Sequence, residues 1–188
     1  MSRAERPPLP GSRSGGESVK AMVRVDHAGE YGAVTIYQGQ RAVFDRIPSK
    51  GRVAAQLKQM EADEQHHLDA FDALIAERES RPTLMMPLWQ IAGRALGVGT
   101  ALMGEKAAHA CTEAVEDVIE RHYAGQIETL ETMGETGLAA QFTQFREEEI
   151  AHRDTALHEG AREAAGYPLL SAAIKTGCRT AIEICKRI

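Results

Sequence analysis

At 188 residues the chain can bury a core without disulfides or a metal for bare stability, so any metal it holds is there for chemistry. A formal charge of -5, with no Lys/Arg block interleaved with aromatics, excludes a nucleic-acid groove, which needs clustered cations to meet phosphates. Cys111, Cys178 and Cys185 are odd in number and lack CxxC spacing, which excludes a disulfide framework or thiolate zinc site and fits a reducing compartment.

Residues 1–18, rich in Pro, Gly, Ser and Arg, lack the apolar stretch of a secretory signal and are expected to be a disordered lead-in to a single domain over 19–188. Beyond them Ala, Leu, Glu, Gln and Arg dominate and β-branched runs are short, so the fold is predicted to be all-α. A first helix runs from about Ser18 to Phe44 and stops before Ile47-Pro48, because the residue before a proline is pushed out of helical geometry. Val23, His27, Glu30, Val34, Tyr37 and Phe44 recur at helical spacing, which puts Glu30 in an apolar line facing the core.

A second helix starts near Ser49 or Lys50 and ends before Arg81-Pro82. Its apolar line is Leu57, Met60, Glu64, Leu68 and Phe71, with His67 one turn beyond Glu64. Leu84 to Met103 is long enough to span a bilayer but carries Gln90, Arg94, Pro87 and several glycines. A central Arg costs roughly 2.5–3.5 kcal/mol on insertion. The segment is therefore expected to lie on or slightly in a membrane, or against a partner, with an ordinary buried hairpin as the alternative.

A helix over Glu105–Met133 follows, with Glu116, Ile119, Tyr123 and Ile127 in line. After a break at Gly134 to Gly137, another runs to about Glu163 with Leu138, Phe142, Phe145 and Ala156 in line with Glu149 and His152. Gly166-Tyr167-Pro168 opens a last helix, about 168–187. Its stripe of Leu170, Ile174, Cys178, Ala181, Ile182 and Cys185 is flanked by Lys175, Arg179, Lys186 and Arg187, which could meet anionic lipid or simply be a solvated edge.

One pattern occurs twice. Glu30 is followed 34 positions later by Glu64 in Glu64-x-x-His67, and Glu116 is followed 33 positions later by Glu149 in Glu149-x-x-His152. With short connections consecutive helices are antiparallel, so a duplicated helical hairpin, about 19–80 and 105–163, brings all six residues to one interior. Four inward carboxylates would repel one another or take up protons unless something positive lies between them. The chain has no matching set of core Arg or Lys, whereas two metal ions would compensate the cluster. Glu-x-x-His lets carboxylate and imidazole reach the same ion, and Glu64 and Glu149 could bridge two. Oxygen-rich ligation with one imidazole per metal suits iron or manganese.

Other polar residues are weaker candidates. Tyr123 and His122 could stand behind the ligands, and His27 could do so with Asp26 and Arg24 in one polar network. Glu113, Asp117 and Glu148 are expected to be solvated or to stand behind the ligands, His109 is open between core and function, and His66 belongs on the surface. The cysteines are expected to be small core residues.

Several strings then resemble one family. They are Arg24-Val25-Asp26-His27-Ala28-Gly29-Glu30-Tyr31-Gly32-Ala33, Arg81-Pro82-Thr83, Met86-Pro87-Leu88-Trp89, Ala110-Cys111-Thr112 with Ala114-Val115-Glu116, and Phe145-Arg146-Glu147-Glu148-Glu149 with His152. From about Val19 to the C-terminus the sequence is similar to the demethoxyubiquinone hydroxylases. The resemblance implies a ferritin-like four-helix bundle and two Fe ions per chain on Glu30, Glu64, His67, Glu116, Glu149 and His152. It implies monooxygenation of a polyprenyl methoxy-methyl-benzoquinol by dioxygen, with electrons from an external donor or through the quinone.

The expected setting is a membrane surface, on the cytoplasmic side in a bacterium or the matrix side of the mitochondrial inner membrane in a eukaryote. A homo-oligomer and a lipid-handling partner are compatible with exposed apolar helices. Two other functions compete with this one: a rubrerythrin- or ferritin-like peroxidase or iron store, and a metal-free membrane-associated scaffold.

Overall fold

The computed structural model describes residues 18–188; the lead-in expected over 1–18 lies outside them except for Ser18, which caps the first helix. The chain is all-helical there, with six α-helices and two short 3₁₀ turns. Helix α1 is Val19–Phe44, and the Ser18 hydroxyl caps it by accepting from the Ala21 N–H at 3.2 Å. A 3₁₀ turn at Pro48–Lys50 leads into α2, Gly51–Glu77, which ends earlier than Arg81-Pro82 alone would dictate. Glu79 takes φ 49°, and the Ser80 N–H reaches back to the Ile75 carbonyl at 2.9 Å, closing the helix before the proline.

Helix α3 is Met86–Leu102, α4 is Glu105–Met133 as its pattern predicts, and α5 is Thr136–His158. Left-handed Gly134 stops α4. Left-handed Gly160 follows α5 and leaves Ala161–Glu163 as a separate 3₁₀ turn, so α5 does not reach Glu163. Helix α6, Tyr167–Cys185, starts at left-handed Gly166 with proline in its first turn.

The long helices α1, α2, α4 and α5 surround one interior. Met22, Phe71, Tyr123, Leu130, Phe142 and Phe145 pack together toward one end, and Tyr37, Phe44, Val53, Leu57 and Met60 toward the other. Along α1, α2 and α4 the inward acidic and imidazole residues fall between these two apolar clusters. Two dry layers therefore enclose the polar one.

Helices α3 and α6 lie on the outside of this group. Helix α3 touches α1 backbone to backbone: a Cβ on Gly97 would come within 2.1 Å of the Ile36 carbonyl oxygen, and one on Gly39 within 2.5 Å of the Arg94 carbonyl oxygen. Only glycine permits that approach. Helix α6 is clamped to α4 by Glu113, which is 4 % exposed and accepts from the Tyr167 hydroxyl at 3.0 Å and the Lys175 ammonium at 3.1 Å. Glu113 is thus neither solvated nor behind the six candidate ligands, and Lys175 is committed to Glu113 and Asp117 rather than to a free basic edge.

Arg24 also departs from expectation. Its guanidinium donates to the Cys185 and Lys186 carbonyls at 2.9 and 3.0 Å, tying the end of α6 to α1. Residues 84–103 do not form a buried hairpin, since Leu84, Ile91 and Leu102 are 68–73 % exposed. Among the described residues no helix is long and apolar enough to cross a membrane.

Candidate metal centre

All six sequence-predicted residues meet in the interior, none more than 6 % exposed. Their donor atoms form two overlapping groups, each within 4.8 Å: Glu30, Glu64, His67 and Glu149, and Glu64, Glu116, Glu149 and His152. Glu64 and Glu149 belong to both. The imidazoles present Nδ1 to this cluster. His67 Nδ1 is 3.3 Å from Glu149, 3.5 Å from Glu30 and 3.8 Å from Glu64. His152 Nδ1 is 3.1 Å from Glu64 and 3.6 Å from Glu149.

The outer nitrogens are held by carboxylates from the opposite half. His67 Nε2 donates to Glu148 at 2.6 Å, and His152 Nε2 to Asp63 at 3.2 Å. Asp63 and Glu148 each immediately precede the glutamate of a Glu-x-x-His motif. A carboxylate on the far nitrogen fixes the ring's orientation and tautomer, leaving Nδ1 lone-pair-first toward a metal.

The tyrosines are crossed in the same way. Tyr123 on α4 donates to Glu30 on α1, and Tyr37 on α1 donates to Glu116 on α4 at 2.8 Å. Tyr123 therefore stands behind Glu30, one of the positions open to it in the sequence. Tyr37, Asp63 and the specific role of Glu148 escaped the sequence reading, although a signal was present: Tyr37 follows Glu30 by seven residues, as Tyr123 follows Glu116.

His122 and His27 do not touch the six. His122 lies 3.2 Å from Asp26, which also accepts from Gln126 at 3.1 Å, while His27 meets Asp72 at 2.8 Å. The single network expected for His27, Asp26 and Arg24 is three separate contacts, because neighbouring helical residues point to different elements. His66 is exposed, as expected.

Whether the cluster suits a metal can be judged from its unsatisfied atoms. Both Glu149 carboxylate oxygens and His67 Nδ1 are buried without a hydrogen-bond partner. Unpaired buried groups of this kind are costly, and a cation between them removes the cost. Without one the cluster holds protons instead. Burial, with Glu64 and Glu149 opposite, pushes Glu30 well above the usual carboxylate range, and burial with Glu149 and Glu64 does the same to Glu116. Burial opposes charge on His152, yet Glu149 and Glu64 raise it to about 11; for Glu64 burial is outweighed by His152 and His67, which hold it at about 2.

A consequence for pH follows. Metal ligands must be deprotonated, so groups raised above neutral pH release protons when metal enters, and affinity must rise with pH. Anaerobic ferrous titration in weak buffer with a pH indicator is expected to acidify the solution, with tighter binding at pH 8 than at pH 6. Proton-neutral uptake would contradict the deduction.

Beside the cluster lies an apolar cavity of about 500 Å³ between α1, α3, α4 and α6. Gly29, Gly32 and Ile36 on α1 and Val115 and Ile119 on α4 form its floor; Trp89, Leu96, Ile174 and Ile182 are among its walls. Floor residues Gly29 and Val115 immediately precede Glu30 and Glu116. The cavity thus lies against the outer side of the two helices whose inner side carries those carboxylates.

Comparison with known proteins gives a consistent picture. A family model described as ubiquinone biosynthesis protein COQ7 matches residues 17–185. The chain is 49 % identical over 180 residues to a 3-demethoxyubiquinol 3-hydroxylase of Rhodospirillum rubrum, covering 96 % of this chain and 83 % of that protein. It is 46 % identical to a mitochondrial NADPH-dependent 3-demethoxyubiquinone 3-hydroxylase of Rattus norvegicus, covering 90 % and 78 %. It is 41 % identical to a mitochondrial 5-demethoxyubiquinone hydroxylase of Saccharomyces cerevisiae, covering 89 % and 77 %.

Proposed function

Because the chain belongs to the COQ7 family of ubiquinone biosynthesis proteins, we propose that it hydroxylates the ring of a polyprenyl methoxy-methyl-benzoquinol, as a demethoxyubiquinol hydroxylase with two iron ions. The observation that carries this reading is the pairing of two overlapping donor groups with an apolar cavity on the same two helices. Glu30, Glu64, His67 and Glu149 would hold one ion and Glu64, Glu116, Glu149 and His152 the other, with Glu64 and Glu149 shared. When bound, the iron pair supplies two-electron activation of dioxygen, so that one oxygen atom enters the ring and the other leaves as water.

The protein's own contribution is positional. Glu148 and Asp63 orient the imidazoles, and Tyr37 and Tyr123 fix the outer carboxylates by hydrogen bonds. The two apolar clusters exclude water along the bundle, and the cavity walls accept a ring and the start of an isoprenoid tail without competing hydrogen bonds. The electrons come from a separate donor. The crossed partners also support two duplicated halves, about 19–80 and 105–163, within one ferritin-like domain over 19–188.

A peroxidase or iron store would use the same ligands but leaves the apolar cavity without a purpose. A metal-free scaffold leaves Glu149 and His67 Nδ1 unsatisfied. The exposed apolar residues Leu84, just before α3, Leu88 and Ile91 of α3 and Leu169 of α6 support peripheral attachment to the membrane where a polyprenyl substrate resides. Its side would be cytoplasmic in a bacterium or matrix in a mitochondrion. Flotation with liposomes is the check, and equal recovery without lipid would count against attachment.

The decisive assay supplies anaerobically iron-loaded protein, with about two irons per chain, with demethoxyubiquinol, a reductant and ¹⁸O-labelled dioxygen. Label in the product ring is expected; a product without label removes the monooxygenase assignment.

A further inference from the structure

The apolar cavity and the carboxylate cluster lie on opposite sides of α1 and α4, so a ring docked in the cavity still has a seam to cross. Ile119 of α4 marks where. It lines the cavity, and its half-buried side chain packs both on the interior cluster of Phe71 and Tyr123 and on the outer cluster of Ile36, Val115 and Ile174. Opposite it on α1 is Gly29, whose added Cβ would meet only the Ile119 Cδ1 methyl, at 3.9 Å.

Gly29 calls for an explanation. A glycine inside a helix costs roughly 0.5–1 kcal/mol relative to alanine. At Gly39 and Gly97 close backbone contact accounts for it, and at Gly93 the Thr35 hydroxyl does, since a Cβ there would approach a neighbouring atom within 2.1–2.5 Å. Gly29 has no such neighbour, and it is not among the glycines with positive φ. Packing and backbone conformation both allow alanine, yet the side chain is missing where the two helices separate cavity from carboxylates. The one atom facing the gap is the terminal methyl of a side chain that can change rotamer.

We infer that Gly29 and Ile119 form a gate in the α1–α4 seam, through which the quinol ring passes from the apolar cavity to the carboxylate cluster. The inference rests on the quinol-hydroxylase reading. Gly29 supplies the width and Ile119 the movable leaf. Both are positioning residues that touch the ring in transit. A flat, mostly apolar ring fits such a gap, whereas the tail has no need to follow and stays between α3 and α6.

The test separates docking from passage. Trp89, the chain's one tryptophan, lines the cavity, so its emission reports docking of a decyl-tailed methoxy-methyl-benzoquinol independently of turnover. The iron-loaded wild type, Gly29→Val, Ile119→Ala and the double variant would be compared for Trp89 response, hydroxylation, and the quinol-induced change in the ferrous near-infrared circular dichroism. Gly29→Val is expected to keep its iron and to change Trp89 affinity far less than turnover, since Gly29 is one of many residues lining the cavity. It should lose about tenfold or more in kcat together with the dichroism change, because the added methyls overfill the gap. Adding Ile119→Ala should restore both.

Full activity in Gly29→Val, or no rescue in the double variant, overturns the gate. So does a loss of Trp89 affinity as large as the loss in kcat, which would mean that Gly29 acts through docking alone. A wild type whose Trp89 does not respond to the quinol overturns the substrate reading, and the gate with it.

Discussion

Glu149→Ala is expected to abolish iron binding and hydroxylation together while leaving the helices intact. Glu149 belongs to both donor groups, so on the proposed di-iron reading its loss would remove a ligand from each ion at once. Both its oxygens are buried without a hydrogen-bond partner, and alanine removes charge repulsion with Glu30 and Glu116, which offsets the loss of its contacts with His67 Nδ1 at 3.3 Å and His152 Nδ1 at 3.6 Å. Alanine is also the best residue for the interior of α5. Circular dichroism should match the parent and metal-free thermal unfolding should stay within about 4 °C, the equivalent of roughly 1 kcal/mol. Iron per chain and product formation should both fall to background. Retained iron would show that the cluster is not the metal site. Glu116→Ala should lose iron as well but cost stability, because the buried Tyr37 hydroxyl forfeits its acceptor, worth about 1–3 kcal/mol.

The second large effect is expected one step further out. Glu148→Leu should weaken ferrous affinity by about 10–100-fold, since the His67 ring loses the carboxylate that orients it. Glu148→Gln should retain most of the affinity, because its amide oxygen still accepts from Nε2. Asp63→Leu should act in the same direction but less strongly, as its contact with His152 is 3.2 Å against 2.6 Å for Glu148 and His67. Competition with a chromophoric chelator measures all three. Equal affinities for parent and Glu148→Leu would remove the orienting role.

These partners share one topological feature. Glu148 and Glu149 come from one half of the chain and serve His67 of the other; Asp63 and Glu64 do the reverse for His152. Tyr37 and Tyr123 repeat the exchange between α1 and α4. Each half-site is incomplete alone. A change in either hairpin is therefore expected to reach both ions.

Much of the site was legible in sequence because helical periodicity is a local property. Glu30, Glu64, Glu116 and Glu149 fall in apolar lines at helical spacing, and Glu-x-x-His fixes the imidazoles on the same face. Inward carboxylates then require compensation on electrostatic grounds alone, and the family resemblance named the substrate class. The helix bounds followed where proline set them, α2 ending before Arg81-Pro82, and erred where left-handed Gly160 ended α5 short of Glu163.

Only the tertiary structure decided which hairpin serves which imidazole, since contacts between α2 and α5 depend on packing rather than on spacing within either helix. The same holds for Glu113, three residues before Glu116, which spacing alone leaves either solvated or behind the ligands; α6 brings Tyr167 and Lys175 to it. It holds also for Gly29, which is one glycine among 17 in the sequence and is set apart only by the gap it leaves against Ile119.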